Sequence, residues 1–206
     1  MNILGKFILS SLIVGVFSVV PAFADSTDSF TFTSNLGNLG SSDTFKSGAA
    51  SLTFAGYGDP GMVSNLFEKN EGPSEMGIGL ALGTDHEIAG PFVLQMDLQQ
   101  ILALNPSSVI LGVNSIQGPD TYQIWGSKTA GNAGKLLATN QTSTSFNLSK
   151  DLQYRYITVA SPTGSVLVDS LVATVPGFDS TPEPGSAALL LFGLAGLVGL
   201  TALVKK

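Results

Sequence analysis

The sequence has no cysteine, a single histidine and few charges, with nine Lys plus Arg and fifteen Asp plus Glu in 206 residues. Without cysteine there is no disulfide, no zinc–thiolate site and no thiol nucleophile. One histidine, His86, excludes a metal site built from clustered imidazoles. Bases are scarcest in the long middle of the chain. Residues 25–181 hold fourteen of the fifteen acids but only six of the nine bases, a net charge of −8. So acidic a stretch repels phosphate backbones, which excludes nucleic acid as a partner. It also lacks long apolar runs, because both of those lie outside it, one at each end.

Met1–Ala24 reads MNILGKFILSSLIVGVFSVVPAFA. Lys6 precedes an apolar stretch from Phe7 to Val20, Pro21 breaks the helix, and Ala22-Phe23-Ala24 supplies a small–x–small pattern. This is the layout of a secretory signal peptide, a helix cut by signal peptidase after Ala24. The 14-residue apolar stretch is short for a membrane crossing, which takes roughly 20 residues.

At the other end, Ala187–Val204 runs 18 residues without a charge, enough for a transmembrane helix. Lys205 and Lys206 follow it and stay on the cytoplasmic side, leaving the acidic domain outside. Just before it, Pro182-Glu183-Pro184 forms a stiff extended step carrying one carboxylate. This combination resembles the PEP-CTERM sorting signal of Gram-negative bacteria. The resemblance implies that an exosortase, an integral-membrane cysteine protease, recognises Pro182, Glu183 and Pro184 and removes the span. It makes Lys205 and Lys206 the retention tail. It also implies association with exopolysaccharide and biofilm material. Two lysines stand where arginine clusters are usual, and Thr181 where valine is common. Neither change removes the charge or the extended geometry.

Removing both ends leaves residues 25–181, the length of one domain and enough to bury a core without disulfides. Its apolar residues recur with period two at Phe30/Phe32, Leu52/Phe54, Phe92/Leu94/Met96, Tyr122/Ile124 and Phe146/Leu148. Val109–Val113, Tyr154–Val159 and Val166–Val175 complete about eight strands, separated by Gly, Pro, Asn and Ser. The expected fold is all-β, an antiparallel β-sandwich or jelly roll. One short helix over Asp97–Leu104, ended by Asn105-Pro106, caps one end. Residues 34–51 read as a loose loop or an edge hairpin.

Tyr156–Val159, Gly164 and Val166–Leu171 are similar to the closing strands of galactose-binding-like jelly rolls, and Tyr122–Ser127 to a middle strand. That resemblance implies sugar binding and a structural calcium held with an aspartate of the closing strand, here Asp169. Asp85 and Glu87, in the acidic stretch Glu68–Glu87, are the other candidate calcium ligands, since calcium takes six to eight hard oxygens. The plainer reading of that stretch is a solvated loop. It is no EF-hand, because positions five and twelve of a loop starting at Asp85 are Ala89 and Met96. No other cofactor is expected.

Trp125, with Tyr57, Tyr122, Tyr154 and Tyr156, is a candidate sugar-stacking residue. The plainer reading is that Trp125 faces the core, opposite Tyr122 and Ile124 on its strand. His86 has no identifiable serine and aspartate to form a triad, and Gly126-Ser127-Lys128-Thr129 lacks the glycine spacing of a phosphate loop. The expected function is therefore non-catalytic. The protein would be exported, held in the inner membrane as a precursor, and released to the cell envelope, cell surface or extracellular matrix. Its partners would be signal peptidase, exosortase and polysaccharide. A carbohydrate-binding module is the alternative, and a secreted glycoside hydrolase with two facing carboxylates the third choice.

Overall fold

The computed structural model describes residues 25–58, 62–82 and 84–176. The signal helix with Ala22 and Ala24, the Pro182-Glu183-Pro184 motif, the 187–204 span and Lys205-Lys206 lie outside the described residues. Among the described residues no helix is long and apolar enough to cross a membrane.

The chain runs β1 (Ser26–Thr31), β2 (Gly37–Gly40), β3 (Ser42–Ser47), β4 (Ala50–Tyr57), β5 (Val63–Ser64), β6 (Leu66–Asn70), β7 (Met76–Leu80), β8 (Ile88–Ala89) and β9 (Val93–Asp97). A short helix α1 (Gln99–Ala103) follows. Then come β10 (Ser108–Asn114), β11 (Thr121–Ser127), β12 (Lys135–Gln141), β13 (Ser145–Asn147), β14 (Tyr156–Thr163) and β15 (Ser165–Val175). Two antiparallel sheets form a β-sandwich. The first has the order β13-β10-β15-β7-β6-β2, with β1 and β8 also paired to β15. The second has the order β12-β11-β14-β9-β4-β3, with β5 on β4.

The core lies between the sheets and comes from one face of each strand, because side chains alternate along a strand. Leu52, Phe54, Leu94, Met96, Tyr122, Ile124, Ile157 and Val159 project from the second sheet. Phe30, Leu66, Ile78, Leu80, Val109, Leu111, Val166, Val168, Leu171 and Ala173 meet them from the first. Phe32, Phe45 and Phe54 pack edge to face, with centroids 4.9–5.7 Å apart, each pair adding about 0.5–1.5 kcal/mol beyond burial.

β15 is the spine of the first sheet. Its C-terminal half is flanked on both sides, by β1 in the register Ser26↔Val175 to Thr31↔Ser170 and by β10 from Ser108↔Thr174. The register shifts where Gly112 opposes Ser170 and Val113 opposes Val168. Asp169 is thus the extra residue of a β-bulge, and the buried set changes phase there from Val166/Val168 to Leu171/Ala173/Val175. Only Gly164, at φ +73°, separates β14 in one sheet from β15 in the other. A side chain there would adopt a left-handed conformation and collide with the Asp120 carboxylate.

All eight expected strands are present, and α1 is shorter than expected because Asp97 ends β9. Residues 34–51 are neither a loose loop nor one hairpin. They supply β2 and β3, the outer strands of opposite sheets. The acidic stretch is not a solvated loop either. It takes in the end of β6 and all of β7 and stops one residue short of β8, with Glu68, Lys69 and Glu87 buried.

Candidate functional site

β6 alternates with charged residues on both faces. Leu66 and Glu68 face the interior of the sandwich, while Phe67 and Lys69 share the outer face, where residues 84–87 fold over them. His86, at φ +60°, stacks on Phe67 with ring centroids 3.8 Å apart and planes at 7°. Its ring makes no hydrogen bond among the described residues.

On either side of His86, Asp85 and Glu87 reach Lys69. The ammonium group lies 2.9 Å from Asp85 Oδ1, 3.3 Å from Glu87 Oε1, 3.2 Å from Glu75 Oε2 and 3.4 Å from Glu71 Oε2. Lys69 and Glu87 are both 3% exposed, whereas the Asp85 side chain is 66% exposed. Burial alone would lower the Lys69 pKa. The carboxylates of Asp85, Glu75 and Glu87 outweigh it and hold Lys69 above its ordinary value, so it stays charged. Glu87 is fully engaged. Ser115 donates to Oε1 at 2.7 Å and Ser165 to Oε2 at 2.6 Å.

The three candidate calcium ligands fall in two separate settings. Asp85 and Glu87 do converge on a cation, but the cation is the Lys69 ammonium. Asp169 is not with them. It sits in the β15 bulge, takes a hydrogen bond from Ser170 at 3.0 Å, and its pKa is raised by burial. Among the described residues no three His, Cys, Asp or Glu side chains form a group able to hold a metal ion. The hollow beside the cluster, about 180 Å³, is lined by Glu75, Asp85, Glu87 and Asp120. Three of these four already serve Lys69.

Sequence reading missed the Lys69 centre because nothing in Leu66–Asn70 marks a strand. The signal was the pairing of a lone lysine with acids at 71, 75, 85 and 87 in a chain poor in bases. Glu68 was missed for the same reason. It is 2% exposed, Oε1 accepts the Ser34 N–H at 3.1 Å, and Oε2 has no partner among the described residues. Burial pushes its pKa up, with a smaller push from Asp43 and an opposing pull from the Ser34 N–H. A folded carboxyl with a raised pKa holds its proton longer than the unfolded one, so stability falls as pH rises above about 4.5. Glu68→Gln is expected to be more stable than wild type by about 1–2 kcal/mol at pH 8. The gain should shrink towards zero at pH 4, as read by denaturant unfolding at the two pH values. An equal difference at both would refute the assignment.

The aromatic residues divide between the faces. Tyr122 is fully buried, its hydroxyl donating to Ser143 O at 2.8 Å. The Tyr122/Ile124 face is therefore the core. Trp125 is not a core residue but lies half-buried on the outer face of the second sheet, donating from Nε1 to Gln123 Oε1 at 3.3 Å. Tyr57, Tyr154 and Tyr156 are half-buried as well.

No curated protein and no solved structure matches the chain. The similarity of Tyr156–Leu171 to galactose-binding-like jelly rolls thus stays with the residues that suggested it. The sorting signal is different, because residues 180–206 match the family model of the PEP-CTERM protein-sorting motif. That segment holds Pro182-Glu183-Pro184, the uncharged run and both terminal lysines. The chain carries a PEP-CTERM sorting motif, and is an exported protein that an exosortase processes after transient anchoring in the membrane.

Proposed function

We propose that this is a non-catalytic protein of the cell envelope or extracellular matrix of a Gram-negative bacterium, associated with exopolysaccharide or biofilm. Signal peptidase removes residues 1–24 after Ala24. Exosortase then cuts at Pro182-Glu183-Pro184, and the sandwich is what remains. The observation that carries this reading is the sorting motif at residues 180–206. It is supported by the chemistry of the sandwich, where four carboxylates lie within 3.4 Å of the Lys69 ammonium. Carboxylates held by an ammonium ion in place are poor candidates for the acid and base of a glycosidase. The half-buried, outward Trp125 beside Gln123 favours a second reading, that of a carbohydrate-binding module.

The test is intact mass on protein recovered from the membrane, medium and exopolysaccharide fractions of the native host. The expected species begins at Asp25, ends near Pro182–Pro184 and is enriched with the polysaccharide. A dominant species in the membrane that still carries Lys206 would refute the proposal.

A further inference from the structure

On the outer face of the second sheet, β4, β9 and β14 lie side by side. Thr53 opposes Asp97 and Tyr57 opposes Val93, while Tyr156 opposes Asp97 from the other side. Residues two apart share a face, so Thr53 and Tyr57, Gln95 and Asp97, and Tyr156 all project outward. Together with Ala130 they line a hollow of about 160 Å³. A cavity of about 150 Å³ accommodates one six-membered ring. The tyrosines stand at opposite corners, their Cα atoms about 16 Å apart by strand spacing and rise.

The walls are held in place before any ligand arrives. Gln95 donates to Asn132 O at 3.1 Å and to Thr158 Oγ1 at 3.0 Å, and accepts the Gly131 N–H at 2.8 Å. These bonds pin residues 130–132 over the sheet, with Gly131 against the Tyr57 ring. Tyr156 is braced from one side by the Arg155 guanidinium, 4.8 Å from its ring centroid. Side chains already ordered lose little entropy on binding.

Asp97 is the one ionised lining residue, and Arg155 holds both of its oxygens, at 2.9 and 2.6 Å. Burial pushes the Asp97 pKa up, but Arg155 and the Gln99 N–H outweigh it and keep the carboxyl below its ordinary value. Asp97 therefore stays an acceptor at any ordinary pH, while the pair leaves no net charge. Thr53 Oγ1, 2.8 Å from Thr44 Oγ1, adds a hydroxyl. Two aromatic faces, a neutralised carboxylate and a hydroxyl suit a ligand with apolar C–H faces and hydroxyl edges. They offer nothing to attract an ion.

We propose that this hollow is a binding subsite for a neutral pyranose unit of a polysaccharide, stacked against Tyr57 or Tyr156 and hydrogen-bonded through Asp97 and Thr53. The proposal rests on the exopolysaccharide-associated reading above and gives it an address other than Trp125. The test is affinity electrophoresis of the processed protein from its host, in gels containing neutral or acidic exopolysaccharide of that host separated by anion exchange. The neutral fraction is expected to retard the wild type. Tyr57→Ala and Tyr156→Ala should each weaken retardation about tenfold, the loss of roughly 1.4 kcal/mol of stacking. Tyr156→Phe should retain it. Thr53→Gln, which fills the hollow from the solvent side without touching the core, should abolish it at an unchanged melting temperature. Retardation lost in Trp125→Ala but kept in both tyrosine variants would overturn the subsite and leave the polysaccharide reading standing. Retardation by the acidic fraction alone would overturn the ligand class. No retardation of wild type by either fraction would overturn the subsite and the reading together.

Discussion

Replacing Lys69 with methionine is expected to cost about 3–5 kcal/mol of stability, read as a fall in the denaturant midpoint at pH 7. Methionine matches the length and apolar stem of lysine, so the loss reports the charge and not a cavity. The ammonium group touches four carboxylates, one of them Glu87, as buried as Lys69 itself. Without it, Glu87 is left as an ion out of water with two serine donors, and Asp85 and Glu75 repel it from the same hollow. In wild type those carboxylates hold Lys69 above its ordinary pKa, so it keeps its charge across the ordinary pH range. Adding Glu87→Gln to Lys69→Met should return a large part of the loss, with a coupling energy well above the scatter of additive pairs. If the two losses simply add, the buried pair is not the source.

The second large effect concerns sorting. Glu183→Ala and Pro184→Ala are each expected to reduce the processed form from the dominant species to a trace. The precursor carrying Lys206 should accumulate in the membrane fraction, as read by intact mass. Proline disfavours helical backbone at the residue before it, so the sequence Thr181-Pro182-Glu183-Pro184 predicts an extended step. A protease needs an extended strand to reach the peptide bond. Alanine at 184 would let a helix in the apolar run continue through 183 and hide it. Glu183→Gln separates shape from charge. Processing that survives this change but fails with Pro184→Ala means the extended step is what the exosortase reads. Normal processing in all three variants would remove the motif from the mechanism.

The sequence made the core strands legible and left the charged ones hidden, for a physical reason. β9, β10, β14 and β15 bury apolar residues in the expected phase, so periodicity marks them. β6 buries an acid on one face and a base on the other, and its residues read as loop until their partners are known. β7, Met76-Gly77-Ile78-Gly79-Leu80, does alternate, but it lies inside the acidic stretch whose plainer reading is a solvated loop. At Gly79 the glycine is demanded by packing, since a Cβ there would meet the His86 carbonyl. β12 exposes most of its length at the sheet edge and carries no clean pattern to read. Trp125 was placed on a strand correctly, yet only the burial of Tyr122 and Ile124 decides which face it takes. The motif that carries identity was legible throughout because it is a local match of residue types, independent of tertiary contacts.

The strand that ends the sandwich also sets how the protein bears a load. Any tether attached beyond residue 176 pulls on β15, and β15 lies between β1 and β10 over residues 170–174. Tension along such a strand loads the hydrogen bonds of both ladders at once, in shear, so they resist together instead of opening one at a time. The first strand of the sandwich starts beside it, at Ser26 opposite Val175. A protein tethered through that strand and placed under load is lost at the rate its structure is forced open, not by its equilibrium stability. Placing the exit strand in the middle of a sheet makes that rate slow.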